Sequence, residues 1–257
     1  MILDDIVEAK RIRLTEHKRC VGEAQMRRLA GERPGAGRSF YQALKEHGIS
    51  VIGEFKKASP TLGQIKSSVG LAARIADYSA SVDAVSCLTE EDYFHGNADD
   101  FREIRELTAL PMLRKDFMID EYQFYEAKAL GADAVLLIAA ILDDVQMKDF
   151  YALAYELGME ALVETHDEAE MERALRLDAK IIGVNNRNLK DFSISLDNTL
   201  RLRPMVPPEK CLVSESGIVT DEDVRLLKEH GVDAFLIGRA LMESERPREL
   251  AKRWKAL

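Results

Sequence analysis

Short apolar runs recur along the chain from residue 49 onward, and amphipathic stretches of helical length separate them. The runs lie near residues 49–55, 83–88, 111–115, 133–138, 160–164, 180–185, 210–214 and 233–237. Each run has the length of a buried strand, and each stretch between them could cover one face of a sheet. Strands that alternate with helices through short connections run parallel, so eight such units predict an α/β fold, a single-domain (β/α)8 TIM barrel.

Helix start and stop signals support this interpretation. Asp120 and Gln123 have the spacing of a capping box, and Gly131 stands where that helix would end. Asp143 and Gln146 repeat the box before the next helix. An open doubly wound sheet is the alternative, but it normally has fewer strands and a dinucleotide-type glycine turn, which this sequence lacks. The barrel is therefore preferred.

A short sequence pattern, an Asp-Ala pair, recurs every two strand–helix units. An Asp-Ala pair precedes or opens the second, fourth, sixth and eighth strands, at Asp83, Asp133, Asp178 and Asp233. Such a period is expected if alternate strands fill alternate layers of the barrel interior.

The segment before the first strand is predicted to be an N-terminal helical extension, residues 1–48, of one domain that spans residues 1–257. Apolar residues recur at roughly helical spacing in residues 3–30, and a Gly/Pro-rich break at residues 31–37 precedes a second helix near residues 40–45. The apolar stripe of this extension must pack on the barrel. Coverage of the barrel mouth and simple packing on the barrel surface both remain open.

Composition narrows the functional classes. The formal net charge of −9 argues against general binding to nucleic acid or to anionic membranes. The longest apolar run, residues 134–142, is too short to span a bilayer. The N-terminus has no signal-peptide pattern, and the three scattered cysteines contain no CxxC, so we expect a cytoplasmic protein with reduced thiols. A monomer is the working expectation for its oligomeric state.

Polar and charged residues follow the predicted strands, where chemistry lies in such barrels. Glu54 and Lys56 are two residues apart and so share one face of a strand. Reading the strand ends in order gives Glu54, Lys56, Thr89, Glu90, Lys115, Asp116, Glu164, Asn185, Arg187, Glu215, Ser216 and Gly238. Buried Lys and Glu are costly unless they pair or bind a ligand, and a mixed set suits proton transfer. Structural ion pairs that close the barrel are the alternative for each pair taken alone.

Small residues after the seventh and eighth strands indicate phosphate binding. Gly217 follows the seventh strand, and Gly238 and Arg239 follow the eighth. Backbone N–H groups at such positions form the recurrent phosphate site of these barrels. The five histidines have no metal-ligand spacing, and His166 is interpreted as a local cap rather than a ligand. Without a nucleotide or metal motif, no cofactor is expected.

Several motifs together resemble the indole-3-glycerol phosphate synthase family of tryptophan biosynthesis. They cover nearly the whole chain and include Gly53-Glu-Phe-Lys-Lys-Ala-Ser-Pro60, Leu113-Arg-Lys-Asp-Phe117, Gly183-Val-Asn-Asn-Arg-Asn-Leu189, Glu215-Ser-Gly-Ile218 and Ile237-Gly-Arg-Ala-Leu-Met242. Gly53, Phe55 and Arg239 depart from the family's commoner residues. The resemblance implies a small-molecule substrate, 1-(2-carboxyphenylamino)-1-deoxyribulose 5-phosphate. Ring closure, decarboxylation and dehydration would convert it to indole-3-glycerol phosphate.

The resemblance also implies roles for individual residues. Lys115 is expected to be the general acid at the ketone oxygen, and Lys56 with Glu54 and Glu164 to form a second acid–base set. Which lysine serves which step stays open. The implied catalytic residues are Glu54, Lys56, Lys115, Glu164, Asn185 and Ser216. The implied substrate-binding residues are Ser59, Phe117, Leu136 (or Leu137), Arg187, Glu215, Gly217, Gly238 and Arg239, with the N-terminal helix as a further apolar wall.

Two other functional classes remain open. A Schiff-base aldolase could use Lys56 or Lys115 to form an imine on the same barrel. A non-catalytic barrel that only binds a phosphosugar is the second, and the presence of Glu54, Lys56, Lys115 and Glu164 together argues against it.

Overall fold

A computed structural model of the protein describes residues 2–33, 37–46, 48–59, 63–65, 67–188 and 193–257. Pro60 and Leu189 of the motifs above, His47, and the middle of the Gly/Pro-rich break lie outside these residues.

Within the described residues, eight parallel strands close into a barrel, and each strand pairs with its neighbours in sequence. The strands are β1 (Ser50–Phe55), β2 (Ala84–Leu88), β3 (Met112–Lys115), β4 (Ala134–Ile138), β5 (Glu160–Thr165), β6 (Ile181–Asn185), β7 (Cys211–Glu215) and β8 (Ala234–Ile237). The ring closes where β1 pairs with β8, with Val51 opposite Phe235. The predicted barrel is confirmed, and every strand lies within one or two residues of its apolar run.

The helices cover the outside of this ring. Before the first strand lie α1 (Ile2–Cys20), α2 (Glu23–Gly31) and α3 (Phe40–Lys45). After the strands come α4 (Leu71–Ser79), α5 (Ala98–Leu107), α6 (Glu121–Leu130), α7 (Asp144–Glu156), α8 (Glu168–Arg176), α9 (Asp197–Leu202), α10 (Asp221–Glu229), α11 (Arg239–Glu243) and α12 (Pro247–Ala256). Short 3₁₀ turns occupy Ala139–Ile141 and Arg203–Met205, and two-residue strands Ala58–Ser59 and Gly63–Gln64 form a small ribbon after β1. Among the described residues, no helix is long and apolar enough to cross a membrane.

The predicted helix signals correspond to real caps. Asp120 and Gln123 form a complete capping box at the start of α6, and Gly131 ends that helix with a φ of 87°. Asp143 and Gln146 form the same box at the start of α7. These side chains satisfy the first N–H groups, which have no partner inside a helix.

The core has two layers. Alternate strand residues such as Leu113, Leu162 and Val213 point into the barrel, and Phe40 and Leu44 of α3 join this inner cluster. The residues between them in sequence face the helices and build the larger outer layer. This two-sided burial explains why the strands appear as continuous apolar runs rather than alternating ones.

The N-terminal extension differs from the prediction in one respect. The helical segment proposed for residues 3–30 is two helices, because the chain breaks at Val21 and Gly22, and Gly22 begins α2 in extended conformation. The turn lets Leu14 of α1 and Met26 of α2 pack together against Tyr122 of α6. The extension therefore packs on the outer face of the barrel along this part of its length.

The recurrent aspartates have a direct role at the amino-terminal end of the barrel. Side chains of Asp83, Asp133 and Asp233 accept hydrogen bonds from the N–H groups of Val51, Met112 and Leu212, near the starts of β1, β3 and β7. Three of the four recurrent aspartates thus hold the start of the preceding strand. The fourth differs, because the side chain of Asp178 is 89% exposed and pairs with Lys210.

Candidate active site

The predicted site residues meet in one cavity at the carboxyl end of the barrel. The cavity has a volume of about 380 Å³. It is lined by every residue predicted for the site, namely Glu54, Lys56, Ser59, Lys115, Phe117, Leu136, Glu164, Asn185, Arg187, Glu215, Ser216, Gly217, Gly238 and Arg239. The convergence follows from the fold, because the carboxyl ends of parallel strands all reach the same edge of the barrel.

Lys115 is the most enclosed cation in this cavity. It ends β3, and its Nζ lies 2.7 Å from Oε2 of Glu215 and 3.2 Å from Oε2 of Glu164. The three side chains are 15%, 1% and 5% exposed. Burial alone would lower the pKa of Lys115, but the negative charges of Glu215 and Glu164 outweigh it and raise the pKa above its ordinary value. The side chain is therefore an ammonium that donates to two carboxylates.

Glu164 and Glu215 share Lys115 but differ in their other partners. Oε1 of Glu164 also accepts from Nδ2 of Asn185 at 3.2 Å and faces Nε2 of His166 at 3.2 Å. Against the effect of burial, Lys115 and these neighbours hold the pKa of Glu164 below its usual range. Burial, with the negative charge of Glu164 close by, raises the pKa of Glu215 to about 7. Two carboxyl groups with such separated pKa values suit one base and one acid.

Glu54 and Lys56 form a second charged pair opposite the first. Oε2 of Glu54 lies 2.5 Å from Nζ of Lys56, and the Glu54 side chain is only 3% exposed. Gly238 leaves the space for this pair. A Cβ on Gly238 would lie 2.0 Å from Oε2 of Glu54 and 2.8 Å from Nζ of Lys56. A side chain at position 238 would therefore displace the Glu54–Lys56 pair from its present position.

The turn after β7 has an unusual backbone. Ser216 and Gly217 have φ values of 65° and 85°, in the left-handed region that costs a non-glycine residue energy. Nδ2 of Asn186 donates to the carbonyl of Ser216 at 3.0 Å and to Oγ of Ser214 at 3.0 Å, so a buried side chain holds the turn. Asn186 belongs to the NNRNL motif, but no local pattern in the sequence distinguishes it from Asn185.

Gly238 and Arg239 complete the same side of the cavity at the start of α11. The guanidinium of Arg239 is turned toward Glu243, with Nε 3.0 Å from each of its carboxylate oxygens. Anion binding at its backbone N–H stays a prediction from the sequence.

An apolar wall faces the charged groups. Leu136 lines the cavity, whereas its neighbour Leu137 belongs to the outer core, so strand alternation decides between the two candidates. The rings of Phe94 and Phe117 have centroids 6.1 Å apart. Leu3 and Ile6 at the start of α1 also line the cavity, so the N-terminal helix reaches the mouth. The N-terminal helix was a predicted part of this wall, whereas Phe94 was not.

Lys10 fixes α1 against the site. Its Nζ lies 2.9 Å from Oδ1 of Asp116, the residue after Lys115, and the two side chains are 3% and 0% exposed. Asp116 also pairs with Arg114 and accepts from Thr89. A buried cation from an exterior helix leaves no signal in a one-dimensional pattern, because charged residues also dominate the exposed face of α1.

Glu90 does not join the site. Its buried carboxylate accepts from the N–H groups of Asp92, Tyr93 and Phe94 at 3.0, 2.8 and 3.0 Å and so shapes the turn after β2. Among the strand-end residues, Glu90 has a local structural role. Within the described part of the chain, no group of three or more His, Cys, Asp or Glu side chains is arranged to hold a metal ion.

Comparisons with known proteins bear on this geometry. A sequence profile described as Indole-3-glycerol phosphate synthase matches residues 3–254. The chain is 54% identical over 260 residues to the indole-3-glycerol phosphate synthase of Lachnospira eligens, covering 99% of this chain and 97% of that protein. It is 45% identical over 262 residues to the synthase of Acetivibrio thermocellus, covering 100% of both. The chain belongs to the indole-3-glycerol phosphate synthase family.

Solved structures agree on the fold. The chain is similar to 3-hexulose-6-phosphate synthase from Salmonella typhimurium, with a TM-score of 0.63, 14% identity, and coverage of 80% of this chain and 97% of that one. Thiamine phosphate pyrophosphorylase from Pyrococcus furiosus gives a TM-score of 0.61 at 14% identity, with coverage of 85% and 96%. At these identities the likeness shows the barrel alone.

The glycine at position 53 has a structural reason. At Gly53, a Cβ would lie 2.8 Å from Cδ2 of Tyr78, so the buried ring of Tyr78 occupies the space that an alanine would need. The family resemblance inferred from the motifs is confirmed.

Proposed function

We propose that this protein is an enzyme, a carboxy-lyase that converts 1-(2-carboxyphenylamino)-1-deoxyribulose 5-phosphate to indole-3-glycerol phosphate, carbon dioxide and water. The observation that carries the proposal is Lys115, held between Glu164 and Glu215 in the cavity that also contains the phosphate-type turns and the apolar wall. The proposal includes a cytoplasmic, single-domain protein that needs no cofactor, as expected from the sequence.

The two ends of the substrate differ in chemistry, and so do the two sides of the cavity. The phosphate would bind the backbone N–H groups at Ser216–Gly217 and Gly238–Arg239, with Ser59 beside them. The carboxyphenyl ring would lie on Phe117 and Leu136. In this orientation the ketone would lie between the Lys115 group, with Glu164 and Glu215, and the Glu54–Lys56 pair.

Ring closure requires a proton donor at the ketone. The ring carbon that bears the carboxylate attacks the ketone carbon, and negative charge develops on the ketone oxygen. The ammonium of Lys115 can donate to that oxygen, which stabilises the charge and completes the proton transfer. Departure of carbon dioxide then leaves its bonding electron pair in the ring. Arg187 and Asn185 would orient the carboxylate and the sugar hydroxyls.

Dehydration needs a second proton donor and a base. The hydroxyl formed in the first step leaves as water when it receives a proton, and loss of the ring-side proton forms the indole double bond. Lys56, paired with Glu54, is the donor that we assign to this step, and Glu164 is the base because its neighbours keep it ionised. Lys115 thereby serves ring closure, and Lys56 serves dehydration.

The same geometry argues against a Schiff-base mechanism. An imine forms only from a neutral amine, and two carboxylates within 3.2 Å keep Lys115 protonated. Borohydride added during turnover should therefore leave the mass of the chain unchanged, whereas a stoichiometric adduct on Lys115 or Lys56 would contradict the assignment.

The direct test is conversion of the anthranilate-linked sugar phosphate by purified protein, followed through the fluorescence of indole-3-glycerol phosphate. We expect turnover without added metal and no loss of rate in EDTA. Absence of product from folded wild-type protein would overturn the proposed function.

A further inference from the structure

His166 lies directly behind Glu164 and outside the cavity lining. It follows β5 two residues after Glu164, so strand alternation places both side chains on the same side. The His166 side chain is 12% exposed. The sequence suggested only a local cap at this position, and the mechanism above does not use the imidazole.

The imidazole lies between two carboxylates. Nε2 is 3.2 Å from Oε1 of Glu164, at an angle that makes the contact an ion pair rather than a well-directed hydrogen bond. Nδ1 is 3.0 Å from Oε2 of Glu170, which also accepts from the backbone N–H of His166 at 2.8 Å. Glu170 is itself held, because its N–H donates to Asp167 at the start of α8.

Two carboxylates on opposite sides of one imidazole require both ring nitrogens to carry hydrogen. A neutral imidazole would turn a lone pair toward one of the carboxylates, whereas an imidazolium has an N–H on each side. Lys115 lies beyond Glu164, and the 3₁₀ turn Ala139–Ile141, which packs on β5 and α8, has no titratable side chain. Glu164 and Glu170 outweigh the burial of the ring and raise the pKa of His166 to about 10.

The geometry points to His166 as a positioning residue, a permanent cation that orients Glu164 from behind as Asn185 and Lys115 orient it from the cavity. Oε2 of Glu164 then faces Lys115, while Oε1 is held by Asn185 and by the imidazolium. Glu170 acts one step further out, because it fixes the ring and retains its second proton. The assignment rests on the proposed function only for its kinetic readout.

Charge and shape can be separated by two substitutions. His166→Gln keeps a polar side chain of similar size without the charge, and His166→Lys restores a cation. We expect His166→Gln to lower kcat about 10- to 100-fold, as misplaced catalytic groups do. KM should change by less than about threefold, because the contacts with the substrate's phosphate and ring remain. His166→Lys should recover most of the lost kcat. The control is His230→Gln, which changes an exposed histidine at the C-terminal end of α10 and should have the kcat and KM of wild type.

Two kinetic outcomes would contradict the positioning role of His166. If His166 only fills space, the size-matched Gln variant keeps its kcat within about twofold and the Lys variant does not, which would overturn the assignment. A Lys variant as slow as the Gln variant would overturn it too.

Glu170→Gln tests the assignment even if the His166 variants fail to fold. Loss of one carboxylate should lower the pKa of His166 by about 1–3 units, so kcat should decline between about pH 7 and pH 9 in this variant but not in wild type. A pH profile that superposes on that of wild type would contradict the assignment.

Nitrogen-15 NMR of the histidine rings separates this inference from the proposed function. Both ring nitrogens of His166 should be protonated at pH 8 in wild-type protein without substrate. Failure of the synthase assay with an imidazolium signal present would reject the proposed function alone. A neutral His166 ring at pH 8 would reject the positioning role, whatever the assay shows.

Discussion

At the amino-terminal end of the barrel, buried and half-buried aspartates bind backbone N–H groups and neighbouring cations, whereas at the carboxyl end buried glutamates surround lysines and leave a carboxylate oxygen unpaired. Asp133 accepts from the N–H groups of Met112 and Arg38 and pairs with Arg105. Oε1 of Glu215, by contrast, is buried without a hydrogen-bond partner. Both ends bury charge, but Asp133 has partners for both of its oxygens, whereas Glu215 keeps one oxygen without a partner.

The two ends of the same ring of strands therefore serve different purposes, stability at the amino-terminal end and function at the carboxyl end. A buried carboxylate with all of its hydrogen bonds made stabilises the start of a strand. A buried carboxyl group with an unused oxygen raises the energy of the free protein and offers that oxygen to a substrate or a proton. Four substitutions test this contrast, from the largest expected effect to the smallest.

Lys115→Met should have the largest effect on activity. It keeps much of the side-chain volume but deletes the proton donor, so kcat should fall about 10²–10⁴-fold, the usual contribution of general acid–base catalysis. The fold should survive, because the pKa of Glu215 already lies near 7 and this group can take up a proton when its cation is lost. Steady-state kinetics measures kcat, and circular dichroism measures whether the fold is retained. Lys252→Met, at an exposed lysine, is the control. Activity within tenfold of wild type would remove Lys115 from the mechanism.

Asp133→Asn should have the largest effect on stability. The Arg105 side chain is only 10% exposed and would lose its counter-charge, so unfolding should become easier by about 3–5 kcal/mol in urea titrations. The kcat of the folded protein should stay unchanged. Asp178→Asn, at the exposed position of the recurrent Asp-Ala pattern, should leave the unfolding free energy close to that of wild type. Equal losses from the two variants would show that the recurrent aspartates are not distinguished by burial.

Gly238→Ala should reduce kcat by about 10²-fold, as expected for catalytic groups displaced by about an ångström. The new Cβ would collide with Glu54 and Lys56, since it would lie 2.0 Å from Oε2 of Glu54. Gly22→Ala is the matched control, because a Cβ there meets no atom within 4 Å. A rise in KM with kcat unchanged would mean that Gly238 serves the phosphate alone.

Glu215→Gln should change how stability depends on pH. The pKa of Glu215 is about 7 in the folded protein because of burial, against 4.5 for the ordinary group. Between these values the folded state holds a proton that the unfolded chain releases, so the wild type loses stability as the pH rises from about 4.5 to about 7. The variant lacks this loss. The unfolding free energy of wild type relative to the variant should therefore fall by about 1–3 kcal/mol between pH 5 and pH 8. A difference that stays constant would show that Glu215 is ionised throughout.

Local patterns in the sequence determined the strands, the caps and the edge of the barrel that bears the site. The apolar run at residues 134–142 predicted a strand, and β4 occupies its first five positions. Asp120, Gln123 and Gly131 predicted both ends of α6 to the residue. These features are readable because the hydrogen bonds and the buried face that cause them involve residues only a few positions apart.

Partners across the barrel were decided by the tertiary structure alone. Lys115 pairs with Glu164 and Glu215, which are 49 and 100 residues away, and the sequence had assigned Glu215 only to substrate binding. Lys10 reaches Asp116 from an exterior helix, and His166 lies behind Glu164 although its sequence position indicated no more than a cap. Such contacts depend on the stagger of eight strands and on the path of the N-terminal helix. A one-dimensional pattern records which face a residue takes, but the closing of the barrel decides which residues on that face meet.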